Sequence, residues 1–206
     1  MNTVNFEKLV VTPSKVVCIG RNYADHIAEL NNEVPSEPVI FLKPNSAISS
    51  KLYTHKLDEI HYETEISLLV KDKQYCGIAL GLDLTKRGIQ SMLKAKGLPW
   101  ERAKSFDRSA VFTPFLPMPD DIRDVSLRLT INGELKQEGG VELMLHKPKA
   151  ILSEIQTFMS VEDGDIIMTG TPKGVGVVNA GDIFEVALFN GAECLLEHSW
   201  KAELSE

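Results

Sequence analysis

Short strand-like stretches, each closed by glycine, proline or asparagine, recur along this chain and limit what it can fold into. The clearest signal is a hairpin, in which Val125–Ile131 and residues 134–137 flank Asn132-Gly133. Further strands are predicted at residues 15–19, 39–42, 60–70, 78–82, 165–169, 181–188 and 193–201. Helical patterns cover only residues 22–30 (closed by Asn31-Asn32), 85–96 and 149–159. Because strands outnumber helices and turns join most of them, the sequence predicts a β-rich α+β fold.

Length and charge exclude several classes of protein. No linker divides the 206 residues, so we expect one domain, 1–206. Lysine and arginine number 22 against 29 aspartates and glutamates, a formal charge of -7, which argues against nucleic acid or an anionic membrane as partner. The three cysteines are far apart, no basic and apolar leader opens the chain, and no apolar stretch has the length of a membrane helix. We therefore expect a cytoplasmic protein.

Three acidic residues form a candidate metal site. Glu63 and Glu65 lie two apart in one predicted strand, so they share a face with Cα atoms roughly 7 Å apart. Asp83 ends the next predicted strand and can converge on them. Carboxylates this close repel unless a cation lies between them, and oxygen ligands favour Mg²⁺, Mn²⁺ or Ca²⁺. The alternatives are a solvated acidic face and, for Asp83, a helix N-cap.

A candidate general base lies in the first predicted helix. His26 and Glu29 are spaced i, i+3 and share one side of it. A carboxylate beside an imidazole raises its basicity and sets its tautomer, which suits proton removal. A surface ion pair is the structural alternative. Arg21 and Tyr23 precede the helix in a polar segment that can reach an acidic ligand.

Two further segments carry polar groups suited to an acidic substrate. Arg87 and Gln90 share a side of the second predicted helix, where they can bind a carboxylate and a carbonyl; an ordinary exposed face is the alternative. Lys104 lies among apolar and aromatic neighbours and can stabilise an enolate, or it can simply extend to solvent. The glycine-rich loop 169–176, TGTPKGVG, lacks the Walker ending, so it is either an anion-binding loop or a structural turn.

Taken in order, these segments resemble a known family. They read VVCIGRNYADHIAE (residues 16–29), EPVIFLKP (37–44), IHYETEISLLV (60–70), LDLTKRGIQ (82–90), KGLPWERAKSFD (96–107), INGELKQEG (131–139) and GDIIMTGTPKGVG (164–176). The chain resembles the fumarylacetoacetate hydrolase family, in its short branch without the extra N-terminal domain. The resemblance covers nearly the whole chain, from about residue 15 to the end.

The resemblance implies a fold, an assembly and a set of site residues. The fold is one of mixed and antiparallel β-sheets rolled around the active site, with a few short helices, and the assembly is a homodimer. The metal, usually Mg²⁺, is implied on Glu63, Glu65 and Asp83. His26 and Glu29 are implied on a lid-like helix that orders over substrate. The family positions that contact substrate or developing charge correspond to Arg87, Gln90, Lys104 and Thr171.

The expected activity is hydrolysis of a carbon–carbon bond in a 3-acylpyruvate-type diketo acid, with a pyruvate enolate as leaving group. Decarboxylation of oxaloacetate is one alternative at the same site. Proton transfer alone is another, as in a keto–enol isomerase or a double-bond isomerase of the 2-hydroxyhepta-2,4-diene-1,7-dioate type. Outside this class, the alternatives are a non-catalytic metal-binding scaffold and nucleotide binding by the glycine-rich loop.

Overall fold

The computed structural model describes residues 1–30 and 33–205, which form 19 strands and four α-helices. In chain order the strands are β1 (Val4–Phe6), β2 (Leu9–Val11), β3 (Lys15–Gly20), β4 (Val39–Pro44), β5 (Ile48–Ser49), β6 (Tyr53–His55), β7 (Ile60–Tyr62), β8 (Thr64–Lys71), β9 (Gln74–Asp83), β10 (Thr85–Lys86), β11 (Ala110–Phe112), β12 (Leu116–Pro117), β13 (Val125–Ile131), β14 (Glu134–Gly140), β15 (Ile166–Met168), β16 (Gly176–Val177), β17 (Ile183–Asn190), β18 (Glu193–Lys201) and β19 (Glu203–Ser205). The helices are α1 (Ala24–Glu29), α2 (Arg87–Ala95), α3 (Glu101–Lys104) and α4 (Pro148–Phe158). The predicted β-rich α+β class is confirmed.

The largest sheet has eight strands and mixes parallel and antiparallel pairs. Its order is β4-β3-β15-β8-β9-β11-β5, and β12 pairs with β9 off this path. The β3–β15 and β11–β5 pairs are parallel, and the others are antiparallel. Apolar residues cover both faces: Val17 and Ile19 belong to the larger core, whereas Val16 and Cys18 belong to a smaller one behind the sheet. Burial on both faces explains why these strands read as nearly continuous apolar stretches.

A four-stranded antiparallel sheet, ordered β14-β13-β17-β18, closes the larger core. The predicted hairpin is confirmed, because Ile131 pairs with Glu134 across Asn132 and Gly133. Both turn residues have positive φ, 53° and 80°, as a two-residue type I′ turn requires. Three small sheets complete the fold: β10-β7-β16, β1-β2 and β19-β6.

Several predicted elements differ from those observed. Residues 60–70 do not form one strand, because the chain changes sheet at Glu63, between β7 and β8. The second helix starts at Arg87 instead of residue 85, since Thr85–Lys86 pairs with β7. α1 and α4 lie within about two residues of their predicted bounds, α3 was not predicted, and the predicted stop at Asn31-Asn32 lies outside the described residues. None of the helices in the described ranges has the length and apolar character needed to cross a membrane.

Candidate active site

Strand pairing brings the three predicted acidic residues together. Glu65 lies on β8 and Asp83 ends β9, and these strands pair with Thr64 opposite Leu82, so Glu63 faces Asp83. The Asp83 N–H donates to the Glu63 carbonyl at 2.8 Å. One carboxylate oxygen from each residue lies within 4.8 Å of the others. The convergence follows from antiparallel register, which also keeps Glu65 on the same face as Asp83.

These carboxylates are buried, and this alone sets them apart from a surface patch. Glu63, Glu65 and Asp83 are 6%, 1% and 1% exposed, so the solvated acidic face is wrong. Asp83 is also not a helix cap, because α2 begins four residues later and has no side-chain cap. Burial, then the neighbouring Asp83 and Glu63 charges, raises the pKa of Glu65 well above its usual range. The Gly170 N–H offsets part of this by donating to Glu65 Oε2 at 2.7 Å.

Lys104 neutralises part of this negative charge. Its Nζ donates to Asp83 Oδ2 at 2.6 Å and to Glu63 Oε2 at 3.0 Å, and it also donates to Thr85 Oγ1 at 2.6 Å. Burial acts to lower the pKa of Lys104, but Asp83 and Glu63 outweigh it and hold the pKa above its usual value. The ammonium is therefore charged inside the protein, and the alternative of a lysine that extends to solvent is wrong.

The pKa of Glu63 is shifted in the opposite direction from that of Glu65. Burial acts to raise the pKa of Glu63, but the charges of Lys104 and Arg87 outweigh it, so the pKa lies well below its usual range. Arg87 donates through Nη2 to Glu63 Oε1, the oxygen that also accepts from Thr85. Glu63 is therefore ionised across the physiological pH range.

A second buried lysine, which the sequence analysis missed, holds the other oxygen of Asp83. Lys43 Nζ lies 2.8 Å from Asp83 Oδ1 and donates to the carbonyls of Leu84 (3.2 Å) and Lys104. Lys43 is fully buried on β4. The signal that could have found it is a lysine inside the apolar stretch VIFLKP, where an unpaired charge is not tolerated.

The acidic cluster fits a hard divalent cation. All three donors are carboxylates, and oxygen-only sets suit Mg²⁺, Mn²⁺ or Ca²⁺. Lys43 and Lys104 each neutralise one oxygen of Asp83, but Glu65 still experiences repulsion from Asp83 and Glu63. That repulsion is what a bound cation relieves.

The predicted general base, His26 paired with Glu29, lies beside this cluster. His26 Nδ1 is 3.1 Å from Glu29 Oε2, and the Gly174 N–H donates to Glu29 Oε1 at 3.0 Å. His26 is only 6% exposed, so an ordinary surface ion pair is the wrong description. A proton on Nδ1 directed at Glu29 leaves Nε2 as the basic nitrogen of the ring.

One small cavity joins most of the predicted site residues. It has a volume of about 30 Å³, close to that of one water molecule, whereas ligand pockets usually exceed about 300 Å³. The polar side chains that line it are Arg21, His26, Glu63, Arg87, Gln90, Lys94, Trp100 and Lys104. Arg87 Nη1 donates to Gln90 Oε1 at 2.7 Å, which fixes both groups on α2. An organic acid can enter only if part of this wall moves.

Two predicted substrate-binding residues do not line this cavity. Tyr23 is buried in the larger core, and its hydroxyl has no hydrogen-bond partner among the described residues. Thr171 is buried next to Gly170, and its Oγ1 accepts from Gln137 Nε2 at 2.8 Å. Gln137 Oε1 in turn accepts from the Thr64 N–H at 2.9 Å. Thr171 and Gln137 therefore tie the glycine-rich loop to β8, and substrate contact by Tyr23 or Thr171 stays a prediction.

Comparison with known proteins places these features in a family. Residues 15–196 match the family described as fumarylacetoacetate (FAA) hydrolase C-terminal. The mitochondrial oxaloacetate tautomerase oaa1 of Schizosaccharomyces pombe is 41% identical, in an alignment that covers 87% of this chain and 90% of that protein. The oxaloacetate tautomerase YcgM of Escherichia coli is 36% identical, in an alignment that covers 86% of this chain and 89% of that protein.

Solved structures agree with this assignment. A protein from Oleispira antarctica, described as of the fumarylacetoacetate isomerase/hydrolase type, superposes with a TM-score of 0.93 at 34% identity, over 98% of this chain and 100% of that one. The fumarylpyruvate hydrolase of Pseudomonas aeruginosa, solved with Mn²⁺ and pyruvate, gives a TM-score of 0.90 at 27% identity, over 99% and 96% of the two chains. The chain therefore belongs to the fumarylacetoacetate hydrolase family of enzymes, as its motifs indicate.

Proposed function

We propose that this enzyme catalyses the keto–enol tautomerisation of oxaloacetate. The observation that supports this choice most directly is the 41% and 36% identity to oxaloacetate tautomerases, which extends over most of each chain. The site supplies the groups such a reaction needs: the imidazole of His26 and the ammonium of Lys104 line the cavity, and Glu63 in its wall belongs to the three-carboxylate cluster that fits a divalent ion. Proton transfer, one of the alternatives at the sequence level, therefore replaces carbon–carbon hydrolysis as the leading assignment.

The reaction moves one proton from carbon to oxygen. The C3–H bond of oxaloacetate breaks, a C2–C3 double bond forms, and the C2 keto oxygen gains a proton. His26 is placed to remove the C3 proton through Nε2, while Glu29 stabilises the imidazolium that results. A divalent cation, when bound by Glu63, Glu65 and Asp83, supplies Lewis acidity toward the keto group.

Other polar side chains of the cavity wall can bind the substrate and stabilise the negative charge that develops on it. Lys104 stays protonated, so its positive charge can stabilise the enolate until the enolate oxygen takes a proton from solvent and the His26 imidazolium returns its proton to solvent. Arg87 and Gln90, already fixed by their mutual hydrogen bond, present a guanidinium and an amide to the substrate carboxylate. Because the cavity is small, part of its wall must move for substrate entry, and we propose that the moving part is α1, the helix that carries His26.

Ultraviolet absorbance of the enol tests this function directly. The wild-type enzyme with Mg²⁺ is expected to speed the approach to keto–enol equilibrium, and His26→Ala to lose about 10²–10⁴-fold in kcat because the general base is removed. Asp25→Asn is a matched control, since Asp25 lies on the same helix in an exposed ion pair with Lys173. An oxaloacetate equilibration rate equal to that without enzyme rejects the function, and an unchanged rate in His26→Ala rejects only the assigned base.

Hydrolysis of a 3-acylpyruvate remains the second candidate. It is favoured by the similarity to the fumarylpyruvate hydrolase of Pseudomonas aeruginosa. In that reaction His26 would take a proton from water, the hydroxide would attack the acyl carbonyl, and the carbon–carbon bond would break to release a carboxylic acid and pyruvate enolate. Measuring pyruvate released from a panel of acylpyruvates separates the two activities, because tautomerisation releases no product of this kind.

The remaining expectations extend this proposal. We propose Mg²⁺ as the ion, with Mn²⁺ or Ca²⁺ as alternatives that the same carboxylates accept. A homodimer, a cytoplasmic location and the lack of nucleic-acid or membrane partners stay predictions. Sedimentation, cell fractionation and binding assays with DNA or lipid vesicles can test them.

A further inference from the structure

Basic side chains dominate the wall of the candidate active site. Arg21, His26, Arg87, Lys94 and Lys104 line the cavity in the described part of the chain, whereas Glu63 is the one acidic lining residue there. This excess is larger than one carboxylate of a substrate requires. The question is therefore which of these cations remains available once the protein's own carboxylates are counted.

Of the two lysines in the cavity wall, Lys94 is the one without a carboxylate partner among the described residues. Lys104 contacts Glu63 and Asp83, and Arg87 contacts Glu63. Within residues 1–30 and 33–205, Lys94 has no carboxylate within ion-pair distance. Its Nζ instead lies 5.0 Å from the centre of the Trp100 ring, which is also part of the cavity wall. A cation–π contact holds the ammonium in position without neutralising it.

The surroundings of Lys94 favour an anion. Burial, followed by repulsion from Arg21 and Arg87, lowers the pKa of Lys94 to about 8. A carboxylate beside this ammonium would reverse the effect, because it offsets both the lost hydration and the repulsion. The unpaired charge is therefore a cost in the free protein that an anionic ligand removes.

The position of Lys94 along α2 separates it from the acidic cluster. It lies one helical turn beyond Gln90 and two turns beyond Arg87, and all three residues line the cavity. Long side chains on a helix lean toward its N-terminus, so the lysine extends back over the turn that carries Gln90. A ligand that reaches from Arg87 to Lys94 thus needs acidic groups at both of its ends.

We propose that Lys94 binds the second carboxylate of a dicarboxylic 2-oxo acid whose 2-oxo acid end lies at Glu63, Arg87 and Lys104. Lys94 then makes the site selective for dicarboxylic acids over monocarboxylic acids of the same 2-oxo type. The inference rests on the proposed function for the placement of the 2-oxo acid end. The selectivity itself follows from the Lys94 ammonium, which Trp100 holds in the cavity wall without a carboxylate partner among the described residues.

Malate and lactate provide inert probes, because they differ by one carboxylate and share the 2-hydroxy acid group. Calorimetric titration of the Mg²⁺-loaded wild-type enzyme is expected to show tighter binding of malate. Lys94→Gln should weaken malate binding about tenfold, the loss of one charge-assisted hydrogen bond, and change lactate binding less than about twofold. Lys94→Arg, which keeps the charge, should retain the preference for malate.

Lys96→Gln is the matched control, since Lys96 follows the same helix but is exposed and lies outside the cavity wall. It should change the binding of neither probe. Equal weakening of malate and lactate in Lys94→Gln, or no preference for malate in the wild type, overturns the inference. The titration involves no turnover, so the two failures can be told apart. If the wild type prefers malate and Lys94→Gln loses that preference, but the wild type has no tautomerase activity, the proposed function is rejected and the subsite is kept.

Discussion

Lys43 and Lys104 approach Asp83 from opposite sides, one at each carboxylate oxygen. Both lysines are buried, and removing a lysine from water is costly unless its donors are satisfied. Lys43 meets this condition through two backbone carbonyls, and Lys104 through Thr85 and Glu63. These contacts hold Asp83 rigidly at the acidic cluster, which is the preorganisation that a metal site needs.

Asp165 is another buried carboxylate, beside the end of β8 away from Glu65, and its contribution to stability depends on pH. Its oxygens accept from the Ser14 hydroxyl (2.6 Å), the Lys15 ammonium and the Glu162 N–H (2.9 Å). Burial acts to raise the pKa of Asp165, but the bonds from Lys15 and Ser14 outweigh it and lower the pKa. Because the folded-state pKa is depressed, this stabilisation is present above the unfolded-state value of about 4 and is lost as pH falls through the folded-state pKa.

Asp165→Asn should therefore lower the free energy of unfolding by about 2 kcal/mol at pH 7, since the hydrogen bonds to a charged carboxylate are weakened or lost. The difference from wild type should shrink as the pH falls below about 4. Urea unfolding at a series of pH values measures both effects. Asp121→Asn is the control, because Asp121 pairs with Arg123 in full contact with solvent. A difference that stays constant down to low pH would show that the charge of Asp165 is not responsible.

At the scale of elements, α1 and the glycine-rich loop are joined at two points. Gly174 N–H donates to Glu29, and Lys173 forms an ion pair with Asp25 at 2.9 Å. The same loop donates the Gly170 N–H to Glu65, so it contacts both the His26–Glu29 pair and the acidic cluster. The loop amides therefore bind carboxylates of the protein, and this explains a glycine-rich segment that has no Walker ending.

Gly174→Ala tests this role of the loop. Gly174 has a φ of 98°, and an added Cβ would lie 1.9 Å from the Lys136 carbonyl oxygen. The loop must shift, so we expect about 2 kcal/mol more destabilisation than a strained φ alone causes, together with a fall in kcat as Glu29 loses its donor. Gly181→Ala is matched, because its φ is 93° and nothing lies within 4 Å of the added Cβ. Equal unfolding midpoints and equal activities for the two variants would contradict this role.

At the scale of the whole molecule, the acidic cluster connects the large mixed sheet with its neighbour. Glu65 and Asp83 belong to β8 and β9, and Glu63 lies where the chain leaves β7 for β8. The unfolded chain cannot bring these three carboxylates together. A cation that binds them therefore binds only the native state, and its binding energy is added to the stability of the entire fold.

Thermal unfolding with and without Mg²⁺ measures this linkage. At a hundredfold excess over the dissociation constant, the gain is about 2.7 kcal/mol, which corresponds to about 5–10 °C in Tm for a chain of this size. Glu65→Gln should abolish the Mg²⁺-dependent shift, whereas Glu193→Gln, an exposed change on β18, should preserve it. A wild-type Tm that is insensitive to Mg²⁺ and Mn²⁺ would contradict the assignment of a metal site.

The elements that the sequence predicts well are those whose signal is local. The Asn132-Gly133 hairpin is confirmed because its turn demands two positive φ values, which this pair of residues adopts easily. The alternating pattern of residues 60–70 continues through Glu63, so the break between β7 and β8 was missed. Thr85–Lys86 likewise forms a strand because β7 lies alongside it, a neighbour that no local pattern reveals.

The sequence by itself determined the β-rich class, the family and the residue types of the site, because alternation, turn residues and ordered motifs are written along the chain. Tertiary structure alone decided that Lys43 contacts Asp83, that Gln137 binds the glycine-rich loop, and that no carboxylate of the described residues pairs with Lys94. Charge balance at a buried site depends on which side chains the folded chain brings within a few ångströms. The charges that contribute to this balance come from segments far apart in the chain, so sequence spacing cannot predict the balance.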